Sequence, residues 1–311
     1  DGPFGLGHAM FNISPESFAD KMPYYDAESG LAITAVVRLD NRHELMKELD
    51  VATTGIALSD SILILKAYQK WGENCPSRLL GDFAFVIVDI KKRLVFLATD
   101  HLGRTPLYYY KNAHLFLFAS EIKGILACPD VSIRINMEKI AMLADLGRIL
   151  RNTDSTYFSE VMKMPAASTI LIKNDKVKMH SYWKPKNPKP LRFKDEKEFV
   201  TTFQDVFAES VKTRLRSTYP VAALCSGGLD SSAITSMAAK ILASENKRLC
   251  AFAAVLPREY VGTGTDEREY IDAFKNFENI TLHYISDEQR GPFDNLERLV
   301  WSGESPLLTS R

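Results

Sequence analysis

The chain has no net charge. Its 39 Lys and Arg residues balance 39 Asp and Glu residues, so it lacks the cationic footprint of a nucleic-acid-binding surface. It has only four cysteines, Cys75, Cys128, Cys225 and Cys250, and no C-x-x-C pair. That argues against a disulfide-stapled scaffold and a structural zinc built from them, and points to reduced thiols in a cytoplasm. The six histidines (His8, His43, His101, His114, His180 and His283) show no metal-ligand spacing and read as structural. No apolar run is long enough to span a bilayer; residues 81–90 and 61–68 are short, and polar residues interrupt them. No signal peptide is visible at the start. The chain begins at Asp1 rather than Met, and residues 301–311 read as an unfinished segment; both suggest missing ends.

What is present is ordinary for a soluble globular protein: 46% apolar and 25% charged residues in 311, a length that favours two domains. Residues 31–39 are β-branched and strand-like, and residues 41–49 and 58–71 have helical spacing, the second with Ser59 or Asp60 as cap. Residues 83–90 and 94–98, then 107–110 and 115–119, then 168–173 and 177–183 read as three hairpins, with a helix over 136–146 capped by Asn136. This is an α+β pattern. The Pro- and Lys-rich stretch 184–190 cannot form regular helix, so the boundary falls there: a first domain over 1–184, a linker over 185–195 and a second domain over 196–311. Beyond it come a helix over 196–215, a strand over 221–225, a helix, a strand over 249–256, a helix over 267–277 and a strand over 281–285. Strands alternating with helices predict a parallel sheet with its ligand at the carboxyl ends of the strands.

The most informative run follows Cys225: Ser226, Gly227, Gly228, Leu229, Asp230, Ser231, Ser232. Two glycines let backbone N–H groups approach a ligand closely. A helix starting right after them presents free donors and the positive end of its dipole, which suits a phosphate. Ser226, Ser231 and Ser232 add hydroxyl donors, and Asp230 can hold Mg²⁺ beside phosphates, although a helix cap draws on the same residue type. No Lys follows the glycines, so this is not a Walker loop.

Ser-Gly-Gly-Leu-Asp-Ser-Ser resembles the pyrophosphate loop of ATP pyrophosphatases. Further segments point the same way: Leu80-Gly81-Asp82-Phe83-Ala84-Phe85, the run 98–109 with Asp100 and Gly103-Arg104, Phe118-Ala119-Ser120-Glu121, Tyr157-Phe158-Ser159-Glu160-Val161 and Tyr182-Trp183. Together and in this order they resemble the asparagine synthetase-like, glutamine-amidotransferase-type ATP-dependent ligases. The resemblance implies an Ntn-hydrolase-like αββα sandwich followed by an α/β parallel-sheet ATP pyrophosphatase domain, incomplete at its C-terminus. It implies ATP and Mg²⁺, with Asp230 on the metal and Ser226, Gly227, Gly228, Asp230, Ser231 and Ser232 around the phosphates. Leu224 and Ala254 would lie beside adenine, and Asp266, with Glu267 and Tyr270, would shape the nucleotide site. Asp266 reads equally as a helix cap. Glu304-Ser305-Pro306 resembles a Glu-x-Pro motif that lines the acyl site; a surface loop is the competing reading. Asp230, Ser226 and Glu304 are the candidate catalytic residues.

Departures from the pattern are as informative. Met10, in Gly7-His8-Ala9-Met10-Phe11, stands where family members carry an Arg that grips the glutamine carboxylate, and a thioether cannot form that bidentate pair. Val36-Val37-Arg38 stands where they carry Asn-Gly-Glu. Glutamine hydrolysis is therefore expected to be lost or severely impaired. Asp100 and Arg104 are expected to hold the domain together rather than catalyse. With 14–17 and 39–42 (Leu39-Asp40-Asn41-Arg42), the pattern resembles homologues in peptide biosynthesis, notably lasso peptide macrolactam cyclases. These activate a peptide carboxylate for attack by an amine and imply a precursor peptide and a leader-processing protease as partners. Asparagine synthesis from aspartate, and a non-catalytic scaffold derived from a synthetase, are the alternatives.

Overall fold

A computed structural model describes residues 3–51, 58–144, 154–186, 188, 190–260, 264, 266–286 and 294–306. The chain divides into two units by its internal contacts: one comprises Asp1–Asn12, Glu16–Lys186 and Asn295–Arg311, the other Ile13–Pro15 and Asn187–Asp294.

The first unit carries strands β1 (Tyr24–Asp26), β2 (Leu31–Leu39), β3 (Gly81–Asp89), β4 (Leu94–Thr99), β5 (Tyr108–Lys111), β6 (Phe116–Ala119), β7 (Val161–Lys163), β8 (Ser168–Lys173) and β9 (Lys176–Ser181). Its helices include α1 (Arg42–Glu48), α2 (Asp60–Trp71), α3 (Ile122–Leu126) and α4 (Met137–Ala141). The strands form two sheets, β1-β2-β3-β4-β8-β9 and β6-β5-β7, antiparallel throughout.

Strand β3 sets the layering. From Phe83 onward every residue is buried, so both of its faces are covered, and alternation sends successive side chains opposite ways. Phe83, Phe85 and Ile87 join Ile33, Leu63 and Ile64, the last two from α2. Ala84, Val86 and Val88 join Leu107, Met164 and Ile170, with Tyr109, Phe116 and Phe118 of the smaller sheet packed against them. Tyr110 and Val161 leave that sheet's far side to pack with Ile122 and Ile125 of α3. The result is helix, sheet, sheet, helix: the αββα sandwich expected for this half of the chain.

Local chemistry accounts for the boundaries. Ser59 caps α2, its Oγ accepting from Ile62 N–H at 3.4 Å. Asp60, the other capping candidate, is instead buried, receiving Arg42 Nη1 at 2.6 Å and Leu39 N–H at 2.8 Å. Asn136 caps α4 by accepting from Lys139 N–H at 3.0 Å. The expected helix there runs on as a tighter turn over Met142–Ala144, and positions 145 and 146 lie outside the described residues. Strands β1 and β7 and helix α3 are additions to the sequence reading.

The second unit carries α5 (Glu196–Arg214), β10 (Val221–Leu224), α6 (Leu229–Ser244), β11 (Leu249–Ala254), α7 (Arg268–Asp272) and β12 (Ile280–Ile285). Its strands form a parallel sheet in the order β10-β11-β12, with Leu224 opposite Phe252 and Phe252 opposite His283. Val211 of α5, Ala238, Ala239 and Leu242 of α6 and Ile271 of α7 pack on Leu249, Ala251 and Ala253. The helix expected over 267–277 is α7 followed by a 3-10 turn over Ala273–Asn276, a tightening common at helix ends. The last described helix, α8 (Leu296–Gly303), belongs to the first unit. No helix among the described residues is long and apolar enough to cross a membrane.

Candidate functional site

The carboxyl end of β10 delivers the chain into the glycine turn. Cys225 is buried and donates its N–H to Phe252 O at 2.8 Å, which fixes the strand end against β11. Gly227 then takes φ +78°, a left-handed angle that side chains with a Cβ resist. Space is tight for a Cβ as well: it would meet Glu267 Cβ at 3.1 Å and Glu267 O at 3.2 Å, so the neighbour would have to yield. Gly228 returns to extended backbone as the cap residue of α6.

Hydroxyls close the turn. Ser231 Oγ accepts from Ser226 N–H at 3.2 Å, lies 3.0 Å from Ser226 Oγ, and donates to Gly228 O at 3.2 Å. Ser232 N–H bonds to Gly228 O at 3.0 Å, so the N–H groups of the three preceding residues have no acceptor within the helix. The turn thus presents backbone donors and the positive end of a 16-residue helix to whatever occupies it, which is the chemistry of an anion cradle.

Asp230 lies in the first turn of α6 and is exposed. Among the described residues no group of three or more His, Cys, Asp or Glu could hold a metal. A lone carboxylate suits Mg²⁺ only alongside phosphate oxygens, the usual arrangement for that ion. Leu224, 82% exposed, and the exposed Ala254 end β10 and β11 at the same edge as the turn. Glu267 and Tyr270 line the space that a Gly227 Cβ would need. Asp266 accepts Arg268 N–H at 3.0 Å and lies 3.5 Å from Arg268 Nη1, a turn-stabilising role.

Glu304 is tied down by its carboxylate. Its Oε2 accepts Ile122 N–H at 2.7 Å and its Oε1 accepts Lys123 N–H at 2.6 Å, with Lys123 Nζ 3.6 Å away. The carboxylate caps α3 in the first unit, and both oxygens are engaged. Two part-buried N–H donors find their acceptor here, a structural role that stands beside the acyl-site reading of the motif.

The first unit holds a cavity beside Val36, one of the positions that the resemblance assigns to glutamine binding. This cavity, of about 350 Å³ between the two sheets, is lined by His8, Ala9, Thr34, Val36 and Phe118, among others, and by no Lys or Arg. His8 Nδ1 lies 3.0 Å from Thr34 Oγ1, and burial pulls the imidazole below its ordinary pKa, with Asp20 opposing. Arg38 is held by Asp82 at 2.9 Å and Asp40 at 3.3 Å, and Arg104 also reaches Asp82, at 3.5 Å. The position expected to carry a family Glu is thus a cation locked among carboxylates. Asp100 is buried and accepts the N–H groups of Phe83, Leu102, Arg104 and Thr105 at 3.0 to 3.3 Å, which gives it a structural role. The Arg38–Asp82–Arg104 cluster was not singled out in the sequence; its one signal was Arg38 in place of an acid.

The glutamine amidotransferase domain family matches residues 1–183, and the asparagine synthase family matches residues 202–311. The chain is similar to the putative asparagine synthetase (glutamine-hydrolyzing) 2 of Methanocaldococcus jannaschii, at 30% identity over 97% of this chain and 60% of the relative. It is similar to asparagine synthetase (glutamine-hydrolyzing) 3 of Bacillus subtilis, at 35% identity over 67% of this chain and 34% of the relative. Amidase chry2 of Gibberella zeae is 27% identical over 97% of this chain and 46% of the relative. The chain therefore spans between about a third and three fifths of the length of these curated relatives. A glutamine-amidotransferase sandwich followed by a parallel-sheet unit with a serine- and glycine-rich turn, together with these matches, makes the chain a member of the asparagine synthetase-like family.

Proposed function

We propose that the protein is an ATP-dependent carbon–nitrogen ligase that activates a carboxylate as its adenylate for attack by an amine. The observation carrying this reading is the turn at Ser226, Gly227 and Gly228, closed by Ser231 and seated at the start of α6. In the proposed reaction a carboxylate oxygen attacks the α-phosphorus of ATP, the α–β bond breaks, and pyrophosphate leaves. An amine then attacks the activated carbonyl, loses a proton, and AMP departs. Backbone N–H groups of the turn, with Ser226, Ser231 and Ser232, hold the departing pyrophosphate. Leu224 and Ala254 flank adenine, and Asp266 shapes the site through its hold on Arg268. Asp230 would hold Mg²⁺, whose charge would stabilise the leaving phosphates.

The acyl donor is proposed to be a peptide's Asp or Glu side chain, closed onto the N-terminal amine of the same molecule, as in peptide macrolactam formation. Two observations support an amine source other than glutamine: the cavity beside Val36 is lined by no Lys or Arg, and Arg38, which does not line it, is locked between Asp82 and Asp40. A precursor peptide and a leader-processing protease are the partners this reading implies. Four free cysteines support a cytoplasmic setting.

The test is exchange of radiolabelled pyrophosphate into ATP. Exchange that depends on a peptide acid supports the macrolactam reading; exchange stimulated by aspartate alone replaces it with asparagine synthesis. Absence of both exchange and nucleotide binding overturns the ligase itself. Asp230→Asn should lower exchange on the order of a hundredfold, the scale of losing one preorganised electrostatic contact. Unchanged exchange would remove Asp230 from the site.

A further inference from the structure

The helix whose one face packs on the glycine turn lines a second cavity with its other face. Gly227 abuts Glu267 and Tyr270, whereas Arg268, Asp272 and Lys275 line a hollow of about 720 Å³ with Arg258, Glu259 and Tyr284. Three stretches converge there: the one following β11, α7 with its succeeding turn, and β12. The volume is that of a small-molecule site.

Three cations and two carboxylates line it; Asp272 is engaged with Lys275, and Arg268 also reaches Asp266 at 3.5 Å outside the lining. Asp272 accepts the Tyr284 hydroxyl and lies 2.9 Å from Lys275 Nζ. Arg268 is fixed by Leu256 O at 2.8 Å, with its guanidinium 5.9 Å from the centre of the Tyr284 ring, while Lys275 Nζ stands 5.5 Å from the same centre. Arg258 has no ion pair or side-chain hydrogen bond among the described residues. A held guanidinium, a held ammonium with donors to spare and an uncommitted second guanidinium around one aromatic ring form a receptor for negative oxygens.

We propose that this cavity binds a multiply charged oxyanion, carried by a phosphorylated or polycarboxylate small molecule, at a site separate from the glycine turn. Arg258 is the principal uncommitted contact, Arg268 and Lys275 are the preoriented ones, and Tyr284 spaces them. The site stands whether or not the turn holds a nucleotide, because it uses the opposite face of α7.

The test is calorimetric titration of the purified chain with sodium pyrophosphate and, separately, with citrate, free of metal and nucleotide and at low ionic strength. At least one probe is expected to bind. Arg258→Ala should weaken that binding about tenfold, and Arg258→Glu should weaken it further, as charge-assisted contacts and like-charge repulsion dictate. Arg258, exposed and without a side-chain partner among the described residues, can be removed without loss of fold, which an unchanged thermal midpoint would verify. Binding of pyrophosphate alone identifies a phosphorylated ligand, and binding of citrate alone a polycarboxylate; binding of both shows that charge suffices. If neither probe binds, or if Arg258→Ala binds as tightly as the parent, the proposal is wrong. The second result also separates this cavity from the turn, because pyrophosphate held only at the turn would not respond to Arg258.

Discussion

His8 is the residue whose titration most directly reports on the packing of the first unit. It sits between the two sheets against Thr34, 3.0 Å away, and burial lowers its pKa from the ordinary 6.5. His101, edge-on to Tyr182 and Trp183 at 5.3 and 5.2 Å, is lowered for the same reason. A histidine with a depressed folded-state pKa binds fewer protons folded than unfolded between the two values. Stability is therefore fully present above the unfolded value and is lost as pH falls toward the folded one. Denaturant midpoints should rise from about pH 5 to about pH 7.5, the range in which imidazoles charge. His8→Gln should flatten that rise while retaining a partner for Thr34. A slope identical to the parent's would mean that the His8 environment is not the one described.

At the scale of elements, Glu304 shows what a sequence motif can and cannot specify. Its carboxylate is only 10% exposed and accepts the first two N–H groups of α3, 182 and 181 residues earlier in the chain. Glu304→Ala should destabilise the first unit by about 1–2 kcal/mol, the cost of losing a cap, seen as a lower urea midpoint. Glu304→Gln, which keeps one acceptor oxygen, should recover part of it. Loss of pyrophosphate exchange in Glu304→Ala with no change in stability would favour the acyl-site reading over the structural one. No local pattern could reveal this partnership, because it joins segments far apart in the chain. The elements with strong periodicity were legible: β2, β3 and β4 from runs of β-branched and aromatic residues, and α2 and α5 from helical spacing. Strands β1 and β7, three residues each, are too short to show alternation. Helix α3 carries Gly124 in its middle, a poor helix former, placed where a Cβ would meet Ala119 Cβ at 3.1 Å. The glycine turn was legible because its chemistry is contiguous. The cavity of Arg258, Arg268 and Lys275 was not, because three separated stretches assemble it.

For the molecule as a whole, the decisive matter is which of the chemistries proposed for its two units it performs. In the first unit three positions that the resemblance assigns to glutamine binding are ill suited to it: Met10 cannot form a bidentate pair with a carboxylate, Val36 is 50% exposed and offers no side-chain donor, and Arg38 is committed to Asp82 and Asp40. The second unit retains a closed hydroxyl- and glycine-lined turn at a helix start. The expected division is that the protein exchanges pyrophosphate into ATP with a carboxylate present, yet releases no glutamate from glutamine under the same conditions. Glutamate release matched to amide formation would show that the pocket still works by a route these residues do not suggest. Restoring the acid at one position should not rescue hydrolysis. Arg38→Glu sets a third carboxylate beside Asp40 and Asp82, so it should cost about 2 kcal/mol of stability, the penalty for breaking a largely buried ion pair and leaving like charges together. On this reading hydrolysis requires Arg38 and its carboxylate neighbours to change together, and a single substitution that produced it without destabilising the fold would contradict the cluster as the obstacle.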